Sequence, residues 1–153
     1  MTALVVPLVL LANGLAAGVL VGTQLGGWPL LASLPPQRYV HAHAFFATRY
    51  DPFMPVCFLG TVLGDVLLAA WVPQSAARWA FGGSVPLVLA AVVISVTRNV
   101  PVNRWIRSLD PEALPPDFAD RDPRPHWGVW NRGRCVLAVA ALLANCLGCG
   151  LLL

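Results

Sequence analysis

The chain has 153 residues, of which 58% are hydrophobic and only 11% charged, with a formal net charge of +3. Soluble proteins carry about 25% charged residues, and a soluble globule of this length buries only about 70% of its unfolded surface, so the composition excludes a water-soluble domain and predicts a single integral membrane domain over residues 1–153. The ten basic residues are all arginine, and so small and dispersed an excess excludes nucleic acid as a partner and leaves the lipid bilayer as the expected one.

Four apolar stretches lie at about residues 3–32, 54–72, 80–97 and 135–153, each near or above the ~18 residues that cross a bilayer as a helix. Lipid offers no partner for backbone N–H and C=O groups, and runs this long without alternation satisfy them only as helices. The fold class predicted is all-α, a four-transmembrane-helix up-down bundle with a long polar link between helices 3 and 4.

The first stretch has no Lys or Arg from Met1 to Pro7 and continues well past signal-peptide length, so it is expected to stay in the mature protein. It carries Gly14, Gly18, Gly22 and Gly26 at four-residue spacing, a ridge without side chains along which another helix can approach closely. Gly60 and Gly64 repeat the pattern on the second stretch. Packing inside the bundle is the favoured reading of these glycines, and a homo-oligomer through the ridge is the alternative.

The first link, residues 33–53, holds Pro35-Pro36, Arg38, His41, His43, Arg49 and Asp51. His41 and His43 point about 200° apart on a regular helix, whereas an extended strand would set them on one face. With His126 from the third link they would then make a three-nitrogen metal site of a kind found in zinc and iron enzymes. A single partly buried imidazole would instead serve as a general base, and a histidine at headgroup depth needs no function.

Within the stretches the polar side chains are Asn13, Gln24, Thr61, Asp65, Ser95 and Asn145. Each requires a partner, and Asp65, the most costly, is expected to find an asparagine or carry a proton. Cys146-x-x-Cys149 would be a redox or metal motif in a soluble fold, but within an apolar helix it is assigned to packing.

The third stretch closes on Asn99-Val-Pro101-Val-Asn103. The two asparagines share a helix face, and Pro101 frees backbone carbonyls for such amides, which predicts a polar kink facing substrate. The third link, 98–134, contains a proline- and acid-rich segment at 109–125, expected to be turn-rich and to fold over the bundle mouth. From His126 the sequence predicts the first turns of the last helix. There Trp127, Trp130, Asn131 and Arg134 recur at helical spacing, an aromatic wall with an amide and a guanidinium. That face suits a flat ring bearing an oxyanion; an aromatic belt with arginines on lipid phosphate is the plain alternative.

Nine arginines (38, 49, 98, 104, 107, 121, 124, 132 and 134) fall in the links 33–53 and 98–134 or at their ends. Four spans put those links on one side, which the positive-inside rule makes cytoplasmic, with both termini outside.

Asn99-x-Pro101-x-Asn103 and Trp127-x-x-Trp130-Asn131-x-x-Arg134, set in a four-span layout, resemble the anthrone oxygenase-like family of small membrane proteins. The Asp51-Pro52-Phe53 step is a looser match. The resemblance implies oxidation of a lipophilic anthrone-like aromatic by O2, with no organic cofactor required and a metal possible. On that reading His43 or His41 is the base, and Arg134, Asn99 and Asn103 stabilise the anion. Trp127, Trp130, Asn131 and Arg98 bind substrate. Two other readings stand beside it: a non-enzymatic membrane subunit, and a metal-dependent oxidase using His41, His43 and His126.

Overall fold

The structure, a computed structural model, describes residues 2–153. Its helices are α1 (Thr2–Ser33), α2 (Pro36–Arg49), α3 (Phe53–Trp71), α4 (Ser75–Arg107) and α5 (Arg124–Gly150). All but α2 are long and apolar enough to cross a membrane, and no strand occurs among the described residues. The chain is an all-helical membrane protein of four spans. Leucines and valines such as Leu8, Leu15, Leu59, Leu63 and Leu143 point outward. In water that belt would drive aggregation, and in lipid it is the solvated surface.

The predicted spans are right in number but short at the water-side ends. α4 runs from Ser75 to Arg107 rather than ending near 97, and α5 begins at Arg124 rather than 135. Both extensions are amphipathic, so a stretch chosen for apolarity ends before the helix does. Two helical turns in α1 and α4 are widened to π geometry, at Thr23–Gly27 and Ser95–Asn99. Each stands just before a proline, Pro29 or Pro101. Proline has no N–H to offer the carbonyl four residues back, and the turn before it takes up one extra residue, with the N–H groups of Trp28 and Val100 reaching Thr23 O and Ser95 O.

The glycine ridge of α1 packs against nothing among the described residues: a Cβ at Gly14, Gly18, Gly22 or Gly26 would meet no atom of them within 4 Å. The intramolecular reading is corrected on that point, because α1 turns Val9, Asn13, Ala16, Ala17 and Leu20 inward instead. Close approach falls to other glycines. Gly64 lies against Val9 of α1, Gly148 against the Phe81 ring and Gly128 against the Trp28 indole, each too near for a Cβ.

The first and third links meet at one end of the bundle. α2 packs on the end of α4, and the loop after α4 lies over both, with Phe118 buried against a cluster containing Leu31, Tyr39, Val40 and Ile106. Arg124 fastens this cover: its Nη1 donates to Leu34 O at 2.7 Å while Nε and Nη2 bond the Asp122 carboxylate. Burial alone would push the Asp122 carboxyl up, but hydrogen bonds and charge from Arg124 hold it below the usual carboxylate range.

Candidate functional site

Beneath that cover lies a pocket of about 500 Å³, within the range that takes a small organic molecule. Its greasy wall includes Leu20, Phe46, Met54, Phe58 and Val92; its polar groups include His43, Tyr50, Ser95, Asn103, Arg104, Arg107 and Arg134.

α2 presents Tyr39, Val40 and His43 on its inner face, one helical turn apart. His43 is 2% exposed, and its Nε2 lies 2.9 Å from Asn103 Oδ1. The Trp127 indole Nε1–H donates to the same oxygen, also at 2.9 Å. An indole only donates, so this Asn103 atom must be the carbonyl oxygen and His43 Nε2 must carry its proton. The lone pair of the imidazole then sits on Nδ1, which is buried and has no hydrogen-bond partner. Burial pushes the His43 pKa below its ordinary value, against the opposing effect of the Asn103 bond. The ring is therefore neutral at pH 7. Tyr39, edge-on to His43 at 5.3 Å between ring centroids, has its phenol pushed up by burial and by the Asp122 charge, with Arg124 opposing.

Trp127 continues the aromatic wall, edge-on to His43 at 5.1 Å and tilted on Trp28 at 5.4 Å. Arg134, two helical turns further along α5, donates from Nη2 to Asn131 Oδ1 at 2.7 Å and from Nη1 to Ser95 Oγ at 3.1 Å. Asn131 is fixed in turn by its own donation to Gln24 Oε1 at 3.2 Å. The Arg134 Nε is buried without a partner, and among the described residues the guanidinium forms no ion pair. A cation at this depth, held only by neutral oxygens, leaves room for an anion.

Of the residues singled out in the sequence, His43, Asn103, Trp127 and Arg134 line the pocket, and Asn131 stands behind Arg134. Asn99 is buried outside it, donating from Nδ2 to Trp127 O at 3.3 Å. Its amide thus reaches across to α5 rather than to a carbonyl freed by Pro101. Arg98 lies over the Trp130 ring at 5.0 Å, and Trp130 Nε1 donates to His126 Nε2 at 2.8 Å, a group facing away from the pocket. His41 is exposed on the outer face of α2. Because α2 is helical and not extended, His41, His43 and His126 do not converge, and no group of three or more His, Cys, Asp or Glu side chains able to hold a metal ion occurs among the described residues.

The sequence reading missed Arg104 and Arg107 at the pocket rim, and Gln24 and Ser95 as supports for Asn131 and Arg134. Gln24 and Ser95 were legible as intramembrane polar groups lacking partners. Their partners lie on α5, 107 and 39 positions away in the chain, so only the packing of the helices shows the pairing.

Fold and site together define a small four-span membrane protein with a covered lipophilic pocket, a neutral buried imidazole on one wall and an unpaired guanidinium on another. A family model described as anthrone oxygenase matches residues 43–144, and the chain belongs to that family. No curated protein and no solved structure matches it. Family membership suggests an oxygenase-type activity for this chain.

Proposed function

We propose that the protein is a membrane-embedded oxygenase that oxidises a small, flat, lipophilic aromatic of the anthrone type with O2. The observation that carries this reading is the pairing, across one pocket, of a base whose free lone pair is fixed by its neighbours with a half-buried guanidinium that has no counter-ion among the described residues. An anthrone-type methylene flanked by aryl rings and conjugated to a carbonyl is acidic. His43 Nδ1 takes one of its protons, and Arg134 holds the oxygen on which the charge settles. The electron-rich anion passes an electron to O2, and the two radicals join as a carbon-bound peroxide. Loss of the second C–H proton with O–O cleavage leaves a new carbonyl and hydroxide, which takes the proton from His43 to become water. One oxygen atom enters the product and the other leaves as water.

Nδ1 is closed to water, so substrate reaches it by displacing the side chains over the pocket. That closure keeps competing protons from the anion. No organic cofactor is required by this sequence of steps. On this reading the pocket mouth faces the cytoplasm and both termini lie outside, an orientation supported by the positive-inside rule applied to the arginine-rich links.

A second reading, a small subunit that seats a partner or another copy of itself on the membrane, is favoured by the open glycine ridge of α1. Oxygen uptake by purified protein with an anthrone separates the two. The oxygenase consumes O2 above the rate of spontaneous oxidation, and a subunit does not.

A further inference from the structure

Away from the pocket, the middle of the bundle holds a second polar group. Asp65 on α3 is fully buried, with Ser84 Oγ of α4 donating to its Oδ2 at 2.6 Å and Asn145 Nδ2 of α5 donating to the same oxygen at 3.3 Å. Asn13 of α1 completes a layer to which every span contributes. Two apolar clusters bracket it. On α1, Val9 belongs to one and Ala16 to the other, with Asn13 between; on α3, Leu68 and Phe58 flank Asp65 in the same way. Ser84 lies between Phe81 and Val88 on α4, and Asn145 between Ala141 and the cluster edge at Cys149 on α5.

The layer is not electrically or chemically closed. Asp65 Oδ1, Asn145 Oδ1 and both side-chain atoms of Asn13 are buried without hydrogen-bond partners. Three of those four atoms are acceptor oxygens, so what is missing is chiefly a donor or a cation. Among the described residues no counter-charge pairs with Asp65. α1 and α3 carry no other charged residue, and the charges of α5, like the remaining ones of α4, lie toward the opposite end. Arg78 of α4 is exposed and spends its Nε on Ala69 O. The other titratable groups in the bracketing clusters are the thiols of Cys57, Cys135 and Cys149, while Cys146 is exposed.

We propose that this layer binds one small monovalent cation, a sodium ion or a proton, on Asp65 Oδ1, with Asn13 and Asn145 turning their oxygens toward it. Oxygen donors and a single carboxylate suit a hard, singly charged ion, and the charge balance removes the cost of a lone carboxylate in the bilayer. The site is independent of the oxygenase pocket.

The test is thermal unfolding of the whole protein in detergent, followed by tryptophan fluorescence, in sodium chloride against choline chloride at equal ionic strength. If sodium is the ion, the wild-type midpoint rises by roughly 5 °C at saturating sodium and Asp65→Asn does not respond. If the ion is a proton, sodium has no effect, and the wild-type midpoint in choline rises relative to Asp65→Asn as pH is lowered from about 8 to 5. Wild type that differs from Asp65→Asn in neither series overturns the proposal. Should Asp65→Asn fail to fold, Asn13→Ala carries the test, since it breaks no hydrogen bond. The expected result is about a tenfold rise in the concentration of the effective cation at half effect, and an unchanged value overturns the site.

Discussion

Asn103→Leu removes the one oxygen on which two buried N–H groups converge. Neither His43 Nε2 nor Trp127 Nε1 has another acceptor, and water is largely excluded from both rings, which are 2% and 6% exposed. A buried donor left unsatisfied costs about 1–3 kcal/mol, so the double orphan is expected to cost about 2–6 kcal/mol. For a chain of this length that lowers the unfolding midpoint by at least about 4 °C, measurable by tryptophan fluorescence in detergent. Asn103→Asp distinguishes lost acceptance from lost packing. It keeps an oxygen in place, so both N–H groups stay satisfied, and it sets a carboxylate beside the imidazole that raises the His43 pKa. Nitrogen NMR of labelled His43 should show a neutral ring protonated on Nε2 in the wild type and a ring charged near neutral pH in Asn103→Asp. A midpoint for Asn103→Leu within about 1 °C of wild type, or a wild-type ring protonated on Nδ1, would refute the network as described.

Other perturbations have directions fixed by the same contacts. His43 is held neutral by burial, so it favours the fold fully above its unfolded pKa of about 6.5, and that contribution fades as pH falls from there toward the depressed folded value. The wild-type midpoint should drop over that window, and His43→Gln should flatten the drop. Gly128→Ala drives a Cβ into the Trp28 ring and is expected to cost about 1–3 kcal/mol, whereas Gly18→Ala, facing open space, leaves the unfolding midpoint of the single chain within error. Arg124→Ala cuts the bonds to Leu34 O and Asp122. Hydrogen exchange should then quicken over residues 108–123, with the spans unaffected.

The architecture was legible because lipid leaves a long apolar run few alternatives to a helix, and the count of runs placed both long links at one end. The candidate site was legible in part. Trp127, Asn131 and Arg134 were marked by helical spacing on α5, and their mutual placement needed only helix geometry. His43 was visible as a base but not distinguishable from His41 until α2 was known to be helical, since one residue of backbone geometry decides which imidazole is buried. Asn99 and Asn103 read as a pair on one face. Both do turn toward Trp127, Asn99 donating to its carbonyl and Asn103 accepting from its indole N–H, but only Asn103, one turn nearer the mouth, lines the pocket. The clamp of Arg124 on Leu34 joins residues 90 apart in the chain, and nothing local in a proline-rich loop announces such a partner.

Turnover under 18O2 addresses the oxygenase most directly. With a purified anthrone substrate, wild type should form the quinone with one heavy oxygen atom drawn from the gas, at a rate well above the protein-free control, and both His43→Gln and Arg134→Met should fall toward that control. A labelled product formed no faster with protein than without it, or formed at full rate by both folded variants, would contradict the account.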